Sequence, residues 1–500
     1  MNTPRPINRT KVSVRFGSNA AYAKPVLFMM GLLLGFYSLL NIFQGVDGGD
    51  GWPLQVVVLT ALYIGVYVFC TYKYFKTLYL FSNAYLLAFT IFHLGLVIQI
   101  VFGIIPGGAW IAGSFSVWVE LACWYILLAM AMFVMGFSIG LMARVTRAAS
   151  PEIRLAYKKK TLKFARYSSF GLLLAAVIFF FFAIRSYGNL LEYMRADLYG
   201  DGNDSRGLGV FMMIFPGAAT LMLVSSQTKV QTRRALFLAG FSFLLFMFSG
   251  YRSGALFPCL IGVILWVKTG RSFPKWLAVT MLSVVVISIS VFGAFRQMGA
   301  FGDLGMDELK SSYEQSSVTA SFSELGQTAG IVAHTLRLVP DVNNHFSGAS
   351  YWRALRGMFP NVGFNVNAKN SRSDLTDDIK MDDRALSKLN PSSWLTYHIK
   401  PAQFAKGGGV GFSTVAEPYL NFGVGGVVIF FLLLGYFMAR LDSLDLFVHP
   451  FLFVFCGSIL WFLVRTVRND FANFLKPLGF MIIILIIWHI SLRFIGRRTI

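Results

Sequence analysis

The chain has 500 residues, 56% of them hydrophobic and only 13% charged, and a mean hydropathy of +0.62. These values exclude a soluble globular protein and indicate an all-α polytopic membrane protein. A net charge of +21 would suggest nucleic acid in a soluble chain. Here the excess falls in alternate short loops, so membrane insertion explains it and no nucleic-acid partner is expected.

Reading for apolar runs of about 20 residues gives about 12 transmembrane helices. They lie near 25–44, 54–73, 79–104, 115–142, 168–186, 209–225, 234–249, 254–268, 276–295, 425–440, 447–464 and 474–495. Residues 1–24 form a cytoplasmic N-terminal segment with Arg5, Arg9, Lys11, Arg15 and Lys24. No cleavable signal is evident, because the first apolar run starts late and is long enough to span. Counting from an inside N-terminus, the cytoplasmic segments take Lys73 and Lys76, then the run from Arg144 to Arg166, then Lys229, Arg233 and Arg234, then Lys268, Arg271 and Lys275. The tail at 496–500 carries Arg497 and Arg498. Residues 25–295 thus hold helices 1–9, 296–424 a large periplasmic loop with amphipathic helices, and 425–495 helices 10–12. Residues 187–208 form a smaller outer loop. Cys70, Cys123, Cys259 and Cys456 all fall in apolar runs, so neither a disulfide framework nor a zinc site is expected.

Six arginines fall on the outer side in this topology: Arg252, Arg296, Arg353, Arg356, Arg465 and Arg468. Cytoplasmic arginine is the default, so an outer cluster points to an anionic ligand. SGYRSG, Ser249 to Gly254, aims Arg252 at the outer interface from a tight turn, where its fork of donors suits a diphosphate. Arg296 in GAFRQMGAFG and the pair Arg465 and Arg468 in RTVRNDF repeat that arrangement at two further span ends. Any one of them could instead snorkel to lipid headgroups.

Within the large loop, the segments around Glu324 and after Ser350 have helical periodicity, which suggests short interfacial helices lying on the membrane. They carry Glu324, Gly326, His334, Arg337, His345, Tyr351 and Arg353, a set that includes candidates for a general base. His398 is a further imidazole in the loop. The acidic stretch from Ser371 to Arg384 lacks the spacing and glycine of a calcium loop and is assigned no metal. The most specific stretch is GGGVGFSTVAEPYLNFGVGG, Gly407 to Gly426, in which glycines allow close backbone approach before Glu417, Tyr419 and Asn421 supply a carboxylate, a phenol and an amide. His93, Gln99 and Glu120 read as helix-packing polar residues.

SGYRSG, the SELG segment followed by Pro340 and GASYWRALRGMFP, and GFSTVAEPYLNFGVGG together resemble the O-antigen polysaccharide polymerase (Wzy-type) family over roughly the second half of the chain. The resemblance implies a C-type glycosyltransferase-like fold in the bacterial inner membrane, acting at its periplasmic face on undecaprenyl-diphosphate-linked oligosaccharides. It implies further that arginines, without a metal or other cofactor, hold the diphosphate. Arg252 and Arg296 would bind it, Arg465 or Arg468 would assist, and Glu417 or a loop residue would activate the acceptor hydroxyl. Glu324, Tyr351, Arg353, Tyr419 and Asn421 complete the expected substrate site. Membrane lipids and a chain-length regulator are the other partners implied.

Three rival functions share these features. An O-antigen ligase would use the same donor with lipid A core as acceptor. A flippase or exporter would need a cationic cavity reachable from both sides, and no pair of short, broken spans in corresponding halves supports it. A noncatalytic partner of an assembly complex would tolerate loss of Arg252 and Glu417.

Overall fold

Lipid offers no hydrogen-bond partners, so a chain this apolar closes its backbone groups within helices. The computed structural model describes residues 22–46, 48–49, 51–104, 115–143, 151–187, 209–248, 252–272, 326–341, 343–359, 389–405 and 409–497. Among these residues there is no strand. The helices are α1 (Ala23–Gln44), α2 (Trp52–Phe75), α3 (Phe81–Val101), α4 (Ser116–Met142), α5 (Pro151–Tyr187), α6 (Gly209–Ser225), α7 (Lys229–Phe248) and α8 (Arg252–Lys268). They continue with α9 (Thr328–Leu338), α10 (Ala349–Gly357), α11 (Pro391–Ile399), α12 (Pro401–Ala405), α13 (Ala416–Ser443), α14 (Pro450–Ser458), α15 (Leu460–Arg465) and α16 (Ala472–Arg497).

Every expected span that falls on described residues coincides with a helix, whereas 276–295 lies outside them, as do 188–208 and the acidic stretch from Ser371 to Arg384. Among the described residues, 8 helices are long and apolar enough to cross, or 9 if α14 and α15, bent by 45°, form one span, beside the expected count of about 12. Of the other expected spans, 276–295 falls outside the described residues, and the described parts of α6 and α8, 17 residues each with Pro216 and Pro258 inside them, cover about 25 Å at 1.5 Å per residue, against a hydrocarbon core of about 30 Å.

Helix α4 is the hub, with 83% of its apolar window buried, and α1 and α13 pack most extensively against it. Gly136, Gly140 and Gly435 make the α4–α13 contact. A Cβ on Gly136 would fall 2.0 Å from Leu432 O, and one on Gly435 would fall 1.9 Å from Phe133 O. Close backbone approach of this kind is what holds helices together where lipid is as apolar as leucine.

One end of the bundle is tied by charge. Asp442, near the C-terminus of α13, accepts from Phe81 N at 2.9 Å, Ser82 N at 3.0 Å and Ser82 Oγ at 2.6 Å. It thereby satisfies N–H groups that the first turn of α3 leaves open. Lys268, the last residue of α8, lies 3.6 Å from the same carboxylate. Arg154 pairs with Asp445, Lys158 Nζ donates to Thr269 O, and Arg440 Nη1 donates to Ala143 O. The C-termini of α4, α8 and α13 therefore share this end with the N-termini of α3 and α5. The N-termini of α8 and α13, hence Arg252 and Glu417, lie at the opposite end.

Helix α13 is broken. Phe422 (φ −141°, ψ 16°) and Gly423 (φ 61°, ψ −149°) leave the helical region, and a Cβ on Gly426 would lie 2.2 Å from Pro418 O. In a straight helix those residues stand about 12 Å apart. Residues 416–421 thus fold beside Gly426 instead of continuing the axis. The positive φ at Gly423 is the conformation glycine adopts without steric cost.

The two helices expected on the membrane surface differ. Helix α9 is buried on nearly every face, and Gly326 just before it packs on the Gly95–Leu96 backbone of α3; its small residues Ala329, Gly330 and Ala333 let it sink into the bundle. Helix α10 keeps one buried edge, Ser350 and Ala354, and exposes Trp352 and Leu355, with Phe359 exposed just beyond its end. That one-sided pattern suits an interfacial helix.

Candidate active site

The glycine-rich segment is pinned before it becomes helical. His93 Nδ1 faces Phe89 O at 3.0 Å and Nε2 faces Ser413 Oγ at 2.9 Å. A carbonyl only accepts, so Nδ1 carries the hydrogen and Ser413 donates to Nε2. Ser413 Oγ in turn accepts from Val415 N and Ala416 N, at 3.0 and 3.3 Å, capping the short helical turn that bears Glu417. His93 lies about 12 Å along α3 from Val101, so the turn is recessed into the bundle.

A second strap joins this segment to the connection between α15 and α16. Thr414 Oγ1 donates to Thr466 O at 2.8 Å, and Phe412 N donates to Arg468 O at 3.2 Å. Arg465, Arg468 and Asp470 are carried to the same place.

Glu417 is 2% exposed, and both of its oxygens are held. Ser350 Oγ donates to Oε1 at 2.7 Å, and Phe471 N donates to Oε2 at 2.6 Å. Asn421 Nδ2 donates to Ser350 Oγ at 2.7 Å and to Glu417 O at 2.8 Å. The chain leading into α10 is fixed to the broken helix by Phe346 N donating to Leu420 O at 2.9 Å and Ser347 N to Asn421 O at 3.1 Å. His345 Nδ1 lies 3.1 Å from Tyr419 O.

Charges surround this carboxylate. Arg353 is within electrostatic reach of Glu417; burial weakens its hold on its proton and Glu417 opposes that effect. Asp470 is also near Glu417. Burial pushes the Asp470 carboxyl above its ordinary range, against hydrogen bonds from Asn473 and the charge of Arg465. Its Oδ2 is buried without a hydrogen-bond partner, as is the Tyr351 hydroxyl. Tyr351, Thr414, Glu417, Pro418, Phe430, Thr466, Asn469 and Phe471 line a narrow, partly open crevice with no room for a water molecule.

Glu417, Asn421, Tyr351, Arg353 and Arg465 therefore gather in one region, with Arg468 beside it. Tyr419 turns away, its hydroxyl donating to Val339 O at 3.0 Å and its ring against Tyr125. Arg252 begins α8 at the same end of the bundle, and its side chain lies outside the described atoms. Arg296 and Glu324 lie outside the described residues. Arg356 is exposed over the Trp352 ring. Of the three loop histidines, His334 packs on Phe115 and His398 faces Trp394 O within α11, so His345 is the one at the break of α13. Nothing in the sequence marks Ser350, Ser413 or Asp470. Each is a common residue in a polar stretch, and only the fold sets it apart. Among the described residues, no group of three or more His, Cys, Asp or Glu is placed to hold a metal ion.

The model of the O-antigen polysaccharide polymerase Wzy family matches residues 25–498. The chain belongs to this family. As a Wzy-family protein it is a multi-pass membrane glycosyltransferase that polymerises lipid-linked repeat units. The match extends beyond the second half, where the quoted motifs lie, to almost the whole chain, and it decides for polymerisation over ligation and export. Among curated proteins and among solved structures, nothing matches the chain.

Proposed function

We propose that the protein transfers a growing polysaccharide from undecaprenyl diphosphate to the nonreducing end of a new lipid-linked repeat unit at the periplasmic face of the inner membrane. Glu417 acts as the general base, and Arg353 and Arg465, with Arg252, Arg296 and Arg468, hold the diphosphate. The supporting observation is a buried carboxylate with one oxygen fixed by Phe471 N and arginines of two different elements close by. The site stands at the end opposite Lys268, Arg154 and Arg440, and the charge asymmetry of membrane insertion supports a cytoplasmic position for that basic end.

In the reaction the acceptor hydroxyl oxygen forms a bond to the anomeric carbon of the donor. The bond from that carbon to the phosphate oxygen breaks, its electron pair leaves with the polyprenyl diphosphate, and the hydroxyl proton passes to Glu417. Guanidinium groups in a water-poor pocket stabilise the departing charge with planar forks that match phosphate oxygens. No metal is required by this scheme. A protein that sets chain length is the expected partner.

The test compares purified protein supplied with repeat units on undecaprenyl diphosphate or on undecaprenyl monophosphate. The diphosphate should give a ladder of lipid-linked products and the monophosphate none. Equal use of both would remove the arginine-held leaving group.

A further inference from the structure

We infer that Glu417 Oε1 and Asn421 Nδ2 form the subsite for the attacking hydroxyl of the acceptor sugar, and that Ser350 Oγ occupies this subsite until the acceptor displaces it. This deepens the reading of Glu417 as base and rests on it.

The geometry around Ser350 is that of a sugar hydroxyl ready to attack. Its Oγ donates to Glu417 Oε1 at 2.7 Å and accepts from Asn421 Nδ2 at 2.7 Å. A base must lie within hydrogen-bond reach of the proton it takes, and a hydroxyl offers one donor and two acceptor lone pairs. An acceptor hydroxyl in the same position would donate its proton to Glu417, accept from Asn421, and keep a lone pair for the anomeric carbon. The other carboxylate oxygen would remain fixed by Phe471 N at 2.6 Å. With Ser350 present, no oxygen of Glu417 lacks a donor, and the adjoining crevice has no room even for water. The acceptor therefore reaches Glu417 only by exchange with Ser350.

The wall that this exchange requires to move is the first turn of α10, whose entry is held to the broken helix by Phe346 N and Ser347 N. Tyr351 contributes to the crevice from that turn, and Ser350 and Ala354 are the buried residues of a helix whose Trp352, Leu355 and Arg356 are exposed. The remaining walls come from α13, the turn folded beside it, and the connection that links α15 to α16. Tyr351 supplies an independent sign of a ligand. Its buried hydroxyl lacks a hydrogen-bond partner, and a sugar entering as α10 retreats gives it one.

Kinetics with the full-length protein test this assignment, using a saturating lipid-linked donor and, as acceptor, a single repeat unit on a short alkyl chain. Ser350→Ala removes the competing hydroxyl and should lower the acceptor KM about three- to tenfold, the worth of one ordinary hydrogen bond. Asn421→Ala should raise the acceptor KM about tenfold without changing the donor KM. Loss of activity in a folded Ser350→Ala protein, or an unchanged acceptor KM, would overturn the subsite. A second readout does not depend on turnover. Ser350→Cys should react slowly with a membrane-impermeant maleimide, and several-fold faster once the acceptor is added, after subtraction of labelling in the wild type. Equal or slower labelling with acceptor would contradict the exchange. Glu417→Gln separates the two levels: full activity there removes the base itself, whereas an inactive Glu417→Gln beside a folded, inactive Ser350→Ala removes the subsite alone.

Discussion

Ser413 and His93 meet at 2.9 Å inside the bundle although 320 positions separate them in the chain. Both are fully buried, and their bond fixes where the glycine-rich segment turns and begins the helical stretch that bears Glu417. His93→Ala leaves the Ser413 hydroxyl buried without its acceptor, and we expect a loss of about 2 kcal/mol of stability. Thermal unfolding in detergent measures it, and a variant as stable as the wild type would mean that the pair does not anchor the turn.

Asp442 plays the corresponding role at the other end, holding the first turn of α3 and Lys268 together. Asp442→Ala removes three hydrogen bonds and strands a half-buried lysine, so a loss of about 3 kcal/mol is expected. Fluorescence-detected size exclusion after graded heating reports the shift. Lys268→Met in the same background should recover part of the loss, because the unpaired charge is then gone.

Asp470 gives a signed dependence on pH. Its carboxyl is raised above the ordinary range because it is buried, so between the unfolded value of about 3.9 and the folded value the native state binds more protons than the unfolded state. Stability is fully present below that window and declines as pH rises through it. Asp470→Asn removes the contribution, and the folded protein should then be at least as stable as the wild type at pH 7 with a flatter profile from acid to neutral. A steeper profile would contradict burial as the cause.

The arginines should act on the leaving group. Arg353→Ala, Arg465→Ala, Arg252→Ala and Arg296→Ala are each expected to cut long-chain polymer by about a hundredfold while the protein stays inserted. Lysine at the same positions should restore little, since a point charge cannot offer two parallel donors. A chelator should leave the rate unchanged. Full ladders from both Arg252→Ala and Arg296→Ala would place the diphosphate elsewhere.

The spans were legible in the sequence because lipid imposes one rule along their whole length, and that rule depends on composition alone. The resemblance puts the Glu417 stretch and the arginine pair at 465 and 468 in one site, and in the fold Thr414 and Phe412 tie the two segments together. The break at Phe422–Gly423 was not legible, since a glycine beside a span reads equally as a helix end or as a sharp reversal. Tyr419 shows the opposite limit. It sits two residues from Glu417, yet the helical turn between them directs its hydroxyl to Val339.

Glu417 is the residue on which the proposed chemistry turns. The decisive measurement is the rate of chain extension by purified Glu417→Gln on undecaprenyl-diphosphate-linked repeat units, beside wild-type protein of matched folding. A general base contributes about 10²- to 10⁴-fold, so the variant should fall by at least a hundredfold across the pH range while still binding the donor. A Glu417→Gln protein that builds the full ladder at the wild-type rate would contradict the central claim.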